Sequence, residues 1–242
     1  MRNFIWIFTH YVKKNFQDPA NLLVIALPLV FIFAFQLLEN YLFDFMEVES
    51  NFLYGMAIPM VLGFQFFCAD LTAGWLHYDM KSPTRARLLV SPIAPKVFYM
   101  AVMAAGWLFS VFYGAIVVAI TVVAFNIEWG NYAYVLVVLL ALSFITQMSG
   151  VLIFRYTKDE KSSARMSYVF GEIMMGVAIL PVLAANMTDL ARPIQTILNH
   201  LPVSAGINVI ANYNRLDSIA ALLVWIAIFT AAAFIIGRQE RQ

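Results

Sequence analysis

Two long stretches of the sequence are mostly apolar and contain no lysine or arginine, residues 15–80 and residues 97–154. Since one membrane crossing by a helix needs roughly 20 residues, each stretch has room for two spans. Of the 15 lysine and arginine residues, all but Arg192 and Arg215 fall in four clusters at the ends of such stretches. Basic residues concentrate on the cytoplasmic side of a membrane, so four clusters joined by three hairpins predict six spans with both termini cytoplasmic. The clusters are residues 2–14, 81–96, 155–165 and 238–241.

The predicted fold is all-α: a polytopic membrane protein with six transmembrane helices, forming one domain over residues 1–242. Pro28 falls in the middle of the first span and predicts a kink there. After the second span we expect a cytoplasmic stretch over residues 71–96. The predicted spans are residues 20–38, 52–70, 97–125, 132–154, 166–185 and 218–236.

Residues 4–16 are too short and too polar to cross a membrane, yet they form an amphipathic pattern. The pattern predicts an interfacial helix on the inner leaflet with its lysines toward lipid head groups, or alternatively an extension of the first span into the cytoplasm. Asp18-Pro19 marks a corner after it, because the residue before a proline avoids the helical region. The predicted apolar stripe comprises Phe4, Ile5, Phe8, Tyr11, Val12 and Phe16.

The segment between the last two spans, residues 186–217, is too apolar for an ordinary loop. Its apolar residues recur at helical spacing, and Pro193 and Pro202 punctuate them. We therefore expect short outer helices that dip into the outer leaflet before the sixth span, covered by protein or by a wet cavity.

The composition agrees with a membrane protein. The chain is 62% hydrophobic with a mean hydropathy of +0.80, and charged residues make up 12% of it, against about 25% in a soluble chain. The single cysteine, Cys68, excludes an internal disulfide and a cysteine-based metal site, and we expect it to be a small buried hydrophobe. No cleavable signal peptide is expected, because Lys13 and Lys14 interrupt the first apolar stretch. The lipid bilayer is an expected partner and nucleic acid is not.

The sequence contains no pattern typical of a catalytic centre. It has no phosphate-binding loop of the Gly-x-x-x-x-Gly-Lys-Ser/Thr type and no His-Glu-x-x-His zinc motif. The three histidines fall on opposite predicted sides of the membrane. Ser149-Gly150 and Tyr78-Asp79 lack the partners that an intramembrane serine or aspartyl protease needs. We therefore expect no enzyme activity, no catalytic residue and no metal or other cofactor in this chain.

Glu172 is the one acid that the predicted spans place well inside the membrane. An ionisable residue there is costly and indicates function by default. We expect Gln65 and Gln147, together with Glu172, to line a translocation path. The alternative is that Glu172, about two helical turns from Arg165, lies near the inner interface and is solvated.

Small residues recur at helical spacing on two predicted spans. On the third span this spacing favours close packing within the chain over a contact between two copies, and for the fifth span both remain open. The residues are Gly106, Ser110 and Gly114 on the third span and Ser167 and Gly171 on the fifth.

The cytoplasmic stretch 71–96 is longer than a simple reversal of direction needs. It has room for a short amphipathic helix that exposes Arg85 and Arg87 and offers Leu88, Leu89 and Ile93 for docking. Such a helix would either lie on the membrane surface or bind a cytoplasmic partner.

With these features in order, the chain resembles the permease subunits of ATP-binding-cassette exporters, in the type-2 membrane family that includes drug, antimicrobial-peptide and polysaccharide exporters. The resemblance covers nearly the whole chain. It rests on the interfacial helix ending in Asp18-Pro19, on Leu27-Pro28-Leu29, on residues 88–93 with Ser91-Pro92, and on Pro202 ahead of the sixth span. The chain departs from the family at residues 70–74, where a Glu-rich turn followed by glycine is usual.

The resemblance implies that ATP and Mg²⁺ bind to a separate cytoplasmic ATPase, and that two permease copies pair, as a homodimer, above two ATPase subunits. It implies export of an amphipathic or hydrophobic substrate (a drug, an antimicrobial peptide or a lipid-like molecule) across the cell membrane, the inner membrane in a bacterium. The competing classes are an ion-coupled secondary transporter and a membrane anchor or signalling protein without transport. The residues implied to couple to the ATPase are Arg85, Arg87, Leu88, Leu89, Ser91, Pro92, Lys158 and Lys161.

Overall fold

A computed structural model describes residues 2–46, 52–80, 94–185 and 192–239, and these residues are helical apart from short connections. The all-α prediction is confirmed for them. The helices are α1 (Arg2–Gln17), α2 (Pro19–Met46), α3 (Phe52–Phe64), a 3-10 segment (Gln65–Cys68), α4 (Ala69–Met80), α5 (Pro95–Phe125), α6 (Tyr132–Tyr156), α7 (Glu160–Ala185), α8 (Arg192–Asn199), α9 (Pro202–Ile210) and α10 (Arg215–Gln239).

Within the described part of the chain, five helical stretches are long and apolar enough to cross a membrane. They correspond to the second to sixth predicted spans. The first predicted span lies in α2, whose described residues contain a shorter apolar stretch, Ala26–Leu37, with Pro28 inside the helix. That α2 also crosses the membrane, which would bring the number of spans to six, stays a prediction. The side of the membrane on which each end lies stays a prediction as well. The five stretches are Gly55–Met80, Pro95–Phe125, Tyr132–Tyr156, Glu160–Leu180 and Arg215–Ala233.

The stretch formed by α3, the 3-10 segment and α4 is the centre of the structure. In its most apolar window 83% of the residues are buried, against 11% for α10, so the other helices surround it. The predicted second span ends at Asp70, but the helix continues without a break to Met80, so the stretch predicted to be a cytoplasmic connection begins as helix. Leu71, Leu76 and His77 beyond that point are buried, since this part of α4 packs between α5, α6 and α7.

The N-terminal helix α1 is amphipathic, as predicted, and it packs along α5. Of the predicted apolar stripe, Tyr11 is buried and Phe4, Phe8 and Val12 contact the same cluster, whereas Ile5 is exposed. Two residues outside the stripe, Ile7 and Asn15, are also buried. Asp18 separates α1 from α2, so the helix breaks at the predicted position.

The predicted short helices ahead of the last span are present as α8 and α9. α9 begins at Pro202, where a missing backbone N–H costs nothing, and it is buried against α6, α10 and α3. These contacts supply the protein cover that a short helix at membrane depth needs.

Candidate ligand-binding cavity

The two amides predicted to line a path lie in the packed interior of one chain. Gln65 Nε2 donates to Ser143 Oγ at 3.3 Å, and Gln147 Nε2 donates to the carbonyl oxygen of Cys68 at 3.1 Å. Thr72 Oγ1 donates to Gln147 Oε1 at 2.6 Å. These bonds tie α6 to the 3-10 segment and α4 in a fully buried polar layer.

Glycine residues make the space for these amides. A methyl group at Gly106 would lie 2.5 Å from Gln147 Oε1 and 2.9 Å from Thr72 Oγ1, and one at Gly114 would overlap Gln65 Nε2. The small residues of the third predicted span therefore pack within the chain, which confirms the favoured interpretation. On the fifth predicted span, Gly171 lies against the ring of Phe67, so its side of α7 also packs within the chain.

Glu172 lies apart from Gln65 and Gln147. It is halfway along α7, on a helix face that is exposed in the single chain together with Val169, Ile173 and Gly176. The three predicted path residues are therefore not brought together within one copy.

Of the predicted ATPase-coupling residues, Lys158 and Lys161 are exposed where α7 begins. Between them Asp159 caps the helix, because its carboxylate accepts hydrogen bonds from the backbone N–H and the hydroxyl of Ser162. These bonds hold the pKa of Asp159 below its usual value. The remaining coupling residues lie outside the described residues: Arg85, Arg87, Leu88, Leu89, Ser91 and Pro92.

A cavity of about 130 Å³ lies where the start of α2 and the start of α7 meet the 3-10 segment, α4 and α5. Three carboxylates from three different parts of the chain line it, those of Asp18, Asp70 and Glu160. Aromatic rings form much of the remaining wall, contributed by Phe67, Trp75, Phe109 and Tyr168.

Asp70 is a candidate functional residue that sequence reasoning missed. Because the helix continues to Met80, Asp70 lies ten residues, or about 15 Å, from the end of the helix rather than in a loop. Its Oδ1 atom is buried and has no hydrogen-bond partner among the described residues. The signal was present in the sequence, since the stretch without lysine or arginine ends only at Met80.

Next to the cavity, the ammonium group of Lys14 lies in an aromatic cage. Its Nζ atom is 3.6 Å from the ring centroid of Trp75 and 4.6 Å from that of Tyr78, within the range of cation–π attraction. Burial lowers the pKa of Lys14, and the nearby carboxylates of Asp79, Asp18 and Glu160 oppose that shift. Two of these acids line the cavity.

Two hydrogen bonds fix α1 on the end of α4 beside this cage. Trp75 Nε1 donates to Asn15 Oδ1 at 2.7 Å, and the Tyr11 hydroxyl donates to Asp79. Burial, together with this carboxylate, raises the pKa of Tyr11, so the tyrosine stays a donor at neutral pH. α1 is thus held to α4 by charge and by hydrogen bonds as well as by apolar contact.

The cavity combines carboxylates with aromatic rings, an arrangement that can bind a ligand. Among the described residues, no three histidine, cysteine or acidic side chains are close enough together to hold a metal ion. No known protein family matches the sequence, and no curated protein matches it significantly. The function is therefore inferred from the residues and their geometry.

Proposed function

We propose that this chain is the permease subunit of an ATP-binding-cassette exporter, which pairs as a dimer with separate ATPase subunits and moves an amphipathic or hydrophobic substrate out of the cytoplasm. The observation that carries the proposal is the position of Glu172, halfway along a candidate membrane span and exposed on the surface of the single chain.

An ionisable side chain at the centre of a bilayer is costly, by about 2.5–3.5 kcal/mol on insertion scales. Glu172 therefore needs protein or water beside it rather than lipid. A second copy of the chain, facing the first across a water-filled path, would supply both. The exposed Gly176 one turn further along α7 has no atom within 4 Å of where a Cβ would be, so a second helix has room to approach.

The energy source would belong to another polypeptide, because this chain has no phosphate-binding loop. The exposed lysines at the start of α7 and the basic segment 81–93 are the surfaces that would contact the ATPase. The resemblance described above supports this arrangement.

The first test asks whether α7 faces α7 across a dimer. The only native cysteine, Cys68, is buried, so a Cys68→Ser background gives each introduced cysteine a unique position. Ile173→Cys should form a disulfide-linked dimer on mild oxidation of native membranes. Leu223→Cys, equally exposed but on α10, is the matched control and should remain monomeric. Equal cross-linking of the two variants would contradict the proposed dimer.

The second test concerns the ATPase. The chain should co-purify with an ATP-binding-cassette ATPase, and substrate should stimulate ATP hydrolysis by the complex. Transport that persists without any ATPase would favour an ion-coupled carrier instead. A chain that neither binds an ATPase nor transports would favour an anchor or signalling role.

A further inference from the structure

The cavity beside α4 is lined by three carboxylates, and the charge of Lys14 beside it acts on two of them, Asp18 and Glu160. Asp18, Asp70 and Glu160 line it, and none of its described lining residues is a lysine, arginine or histidine. Carboxylates that line one cavity repel each other unless a cation joins them. The wall is therefore suited to a positively charged guest.

Asp70 is the carboxylate of this wall that most requires a cation. Its buried Oδ1 has no hydrogen-bond partner among the described residues, and the charged group that acts on it there is a second carboxylate, that of Glu160. The charge of Lys14 acts on Asp18, Asp79 and Glu160. A carboxylate oxygen that is buried without a hydrogen-bond partner requires an explanation, and a bound ligand is one.

The aromatic part of the wall indicates which cation fits. Trp75 lines the cavity and already holds the ammonium of Lys14 at 3.6 Å from its ring centroid. The chain's own lysine thus shows that this environment accepts an ammonium group. Phe67, Phe109 and Tyr168 add apolar ring surface, which favours a cation that carries carbon substituents over a hydrated inorganic ion.

The size of the cavity also favours an organic cation over a hydrated inorganic ion. A single water needs roughly 10–15 Å³ of such volume, and this cavity has about 130 Å³. In the described part of the chain, no group of three or more histidine, cysteine or acidic side chains could hold a metal ion. We propose that the cavity binds an organic cation, with its ammonium or similar head toward Asp70 and Glu160 and its substituents against the aromatic rings.

This assignment stands on the cavity alone. Only the further step, that the bound cation is the head of the exported substrate, rests on the proposed function. Export would then favour cationic amphiphiles over anionic or neutral ones of the same length.

The binding experiment uses a pair of probes of nearly equal shape and different charge. Phenyltrimethylammonium and tert-butylbenzene differ by the replacement of nitrogen with carbon, which removes the positive charge. Each is titrated against the full-length chain in lipid nanodiscs, with empty nanodiscs subtracted, and binding is measured by equilibrium dialysis. We expect saturable binding of the cation, no saturable binding of the neutral analogue, and no competition by an equal concentration of potassium ions.

Three variants locate the binding. Asp70→Asn and Glu160→Gln keep the shape of the side chains and remove one charge each, and either should weaken phenyltrimethylammonium binding roughly tenfold, the loss of one partly screened charge interaction. Glu128→Gln, an exposed acid between α5 and α6, is the matched control and should bind like the unmodified chain. Because Glu160 is exposed, its variant tests the inference even if Asp70→Asn fails to fold.

Equal affinity for the charged and neutral probes would overturn the inference, as would unchanged affinity in the Glu160→Gln variant. Cation binding by a chain that has no ATPase partner would keep the inference and remove the exporter. An ATPase-coupled transporter that does not bind the cation would keep the proposed exporter and overturn the inference.

Discussion

Thr72 on α4 donates a hydrogen bond of 2.6 Å to the side-chain oxygen of Gln147 on α6, and both residues are fully buried. The other end of the same amide donates to the Cys68 carbonyl oxygen. Gln147 therefore joins two consecutive segments of the central helix, and its amide is satisfied at both ends where no water can replace a lost partner.

Thr72→Val keeps the shape of the side chain and removes this donor. Because it leaves Gln147 Oε1 buried without its partner, we expect a loss of about 1–3 kcal/mol in the free energy of unfolding. Denaturant titration of the purified chain measures it. Thr9→Val on the exposed side of α1 is the control, and a loss of equal size there would contradict the role assigned to Thr72.

Gly106→Ala should destabilise the chain, because the new methyl group would lie 2.5 Å from Gln147 Oε1. Overpacking of this kind costs typically about 1–3 kcal/mol. Gly176→Ala is the control on a helix face that is exposed in the single chain, with open space at the Cβ position, and for the detergent-solubilised monomer it should be neutral or slightly stabilising. Thermal unfolding followed by tryptophan fluorescence should separate the two variants clearly.

Lys14→Gln should loosen α1 by removing the ammonium group from the Trp75 and Tyr78 rings. A cation–π contact contributes about 0.5–2 kcal/mol, so amide hydrogen exchange across α1 should become several-fold faster. Lys13→Gln removes the neighbouring, exposed lysine and should leave exchange unchanged. Similar acceleration in both variants would mean that net charge, rather than the cage, holds the helix.

The start of α7 should lose protection at low pH. Hydrogen bonds from Ser162 lower the pKa of Asp159, so the stabilisation by its ionised form is present above the unfolded-state value of about 3.9 and is lost as the pH falls through the lowered pKa. Amide exchange at Ser162 and Ser163 is expressed as the ratio of the rate in the unmodified chain to the rate in Asp159→Asn at the same pH. This ratio should rise as the pH falls. A parallel response of the variant would contradict the cap.

Arg85→Glu combined with Arg87→Glu should weaken co-purification with the ATPase while the spans stay folded. The reversal of charge acts on the segment predicted to dock, so the circular dichroism of the purified chain should not change. Arg192→Glu, at the start of α8, lies on the predicted outer side and serves as a single charge-reversal control. Unchanged co-purification of the double variant would count against the assignment of this segment.

The spans that sequence reasoning located well are those where apolar length and the absence of basic residues agree, as in α5 and α6. The continuation of the helix to Met80 was not predicted, because Asp70, His77 and Asp79 make that stretch resemble the start of a loop. These polar residues are accommodated by tertiary contacts, such as the 2.7 Å bond between His77 Nε2 and Thr157 Oγ1, which a pattern of apolar residues does not reveal.

The candidate site was harder to predict for the same reason. The wall of the cavity combines Asp18, Asp70 and Glu160, which are far apart in the sequence, and only the packing of α2, α4 and α7 brings them together. Gln65 and Gln147 were predicted to line a translocation path with Glu172, and the structure shows both amides buried inside one chain, each donating a hydrogen bond through its Nε2 atom. Whether they take part in transport stays a prediction.

The short 3-10 segment Gln65–Cys68 has a geometric consequence for everything that follows it. A 3-10 helix turns about 120° per residue and an α-helix about 100°, so four residues advance the azimuth of α4 by roughly 80° relative to an unbroken helix. In an uninterrupted α-helix of the same sequence, the side chain of Asp70 would face a different neighbour. The chemistry of the cavity thus depends on a small overwinding of the backbone as much as on which side chains the gene encodes.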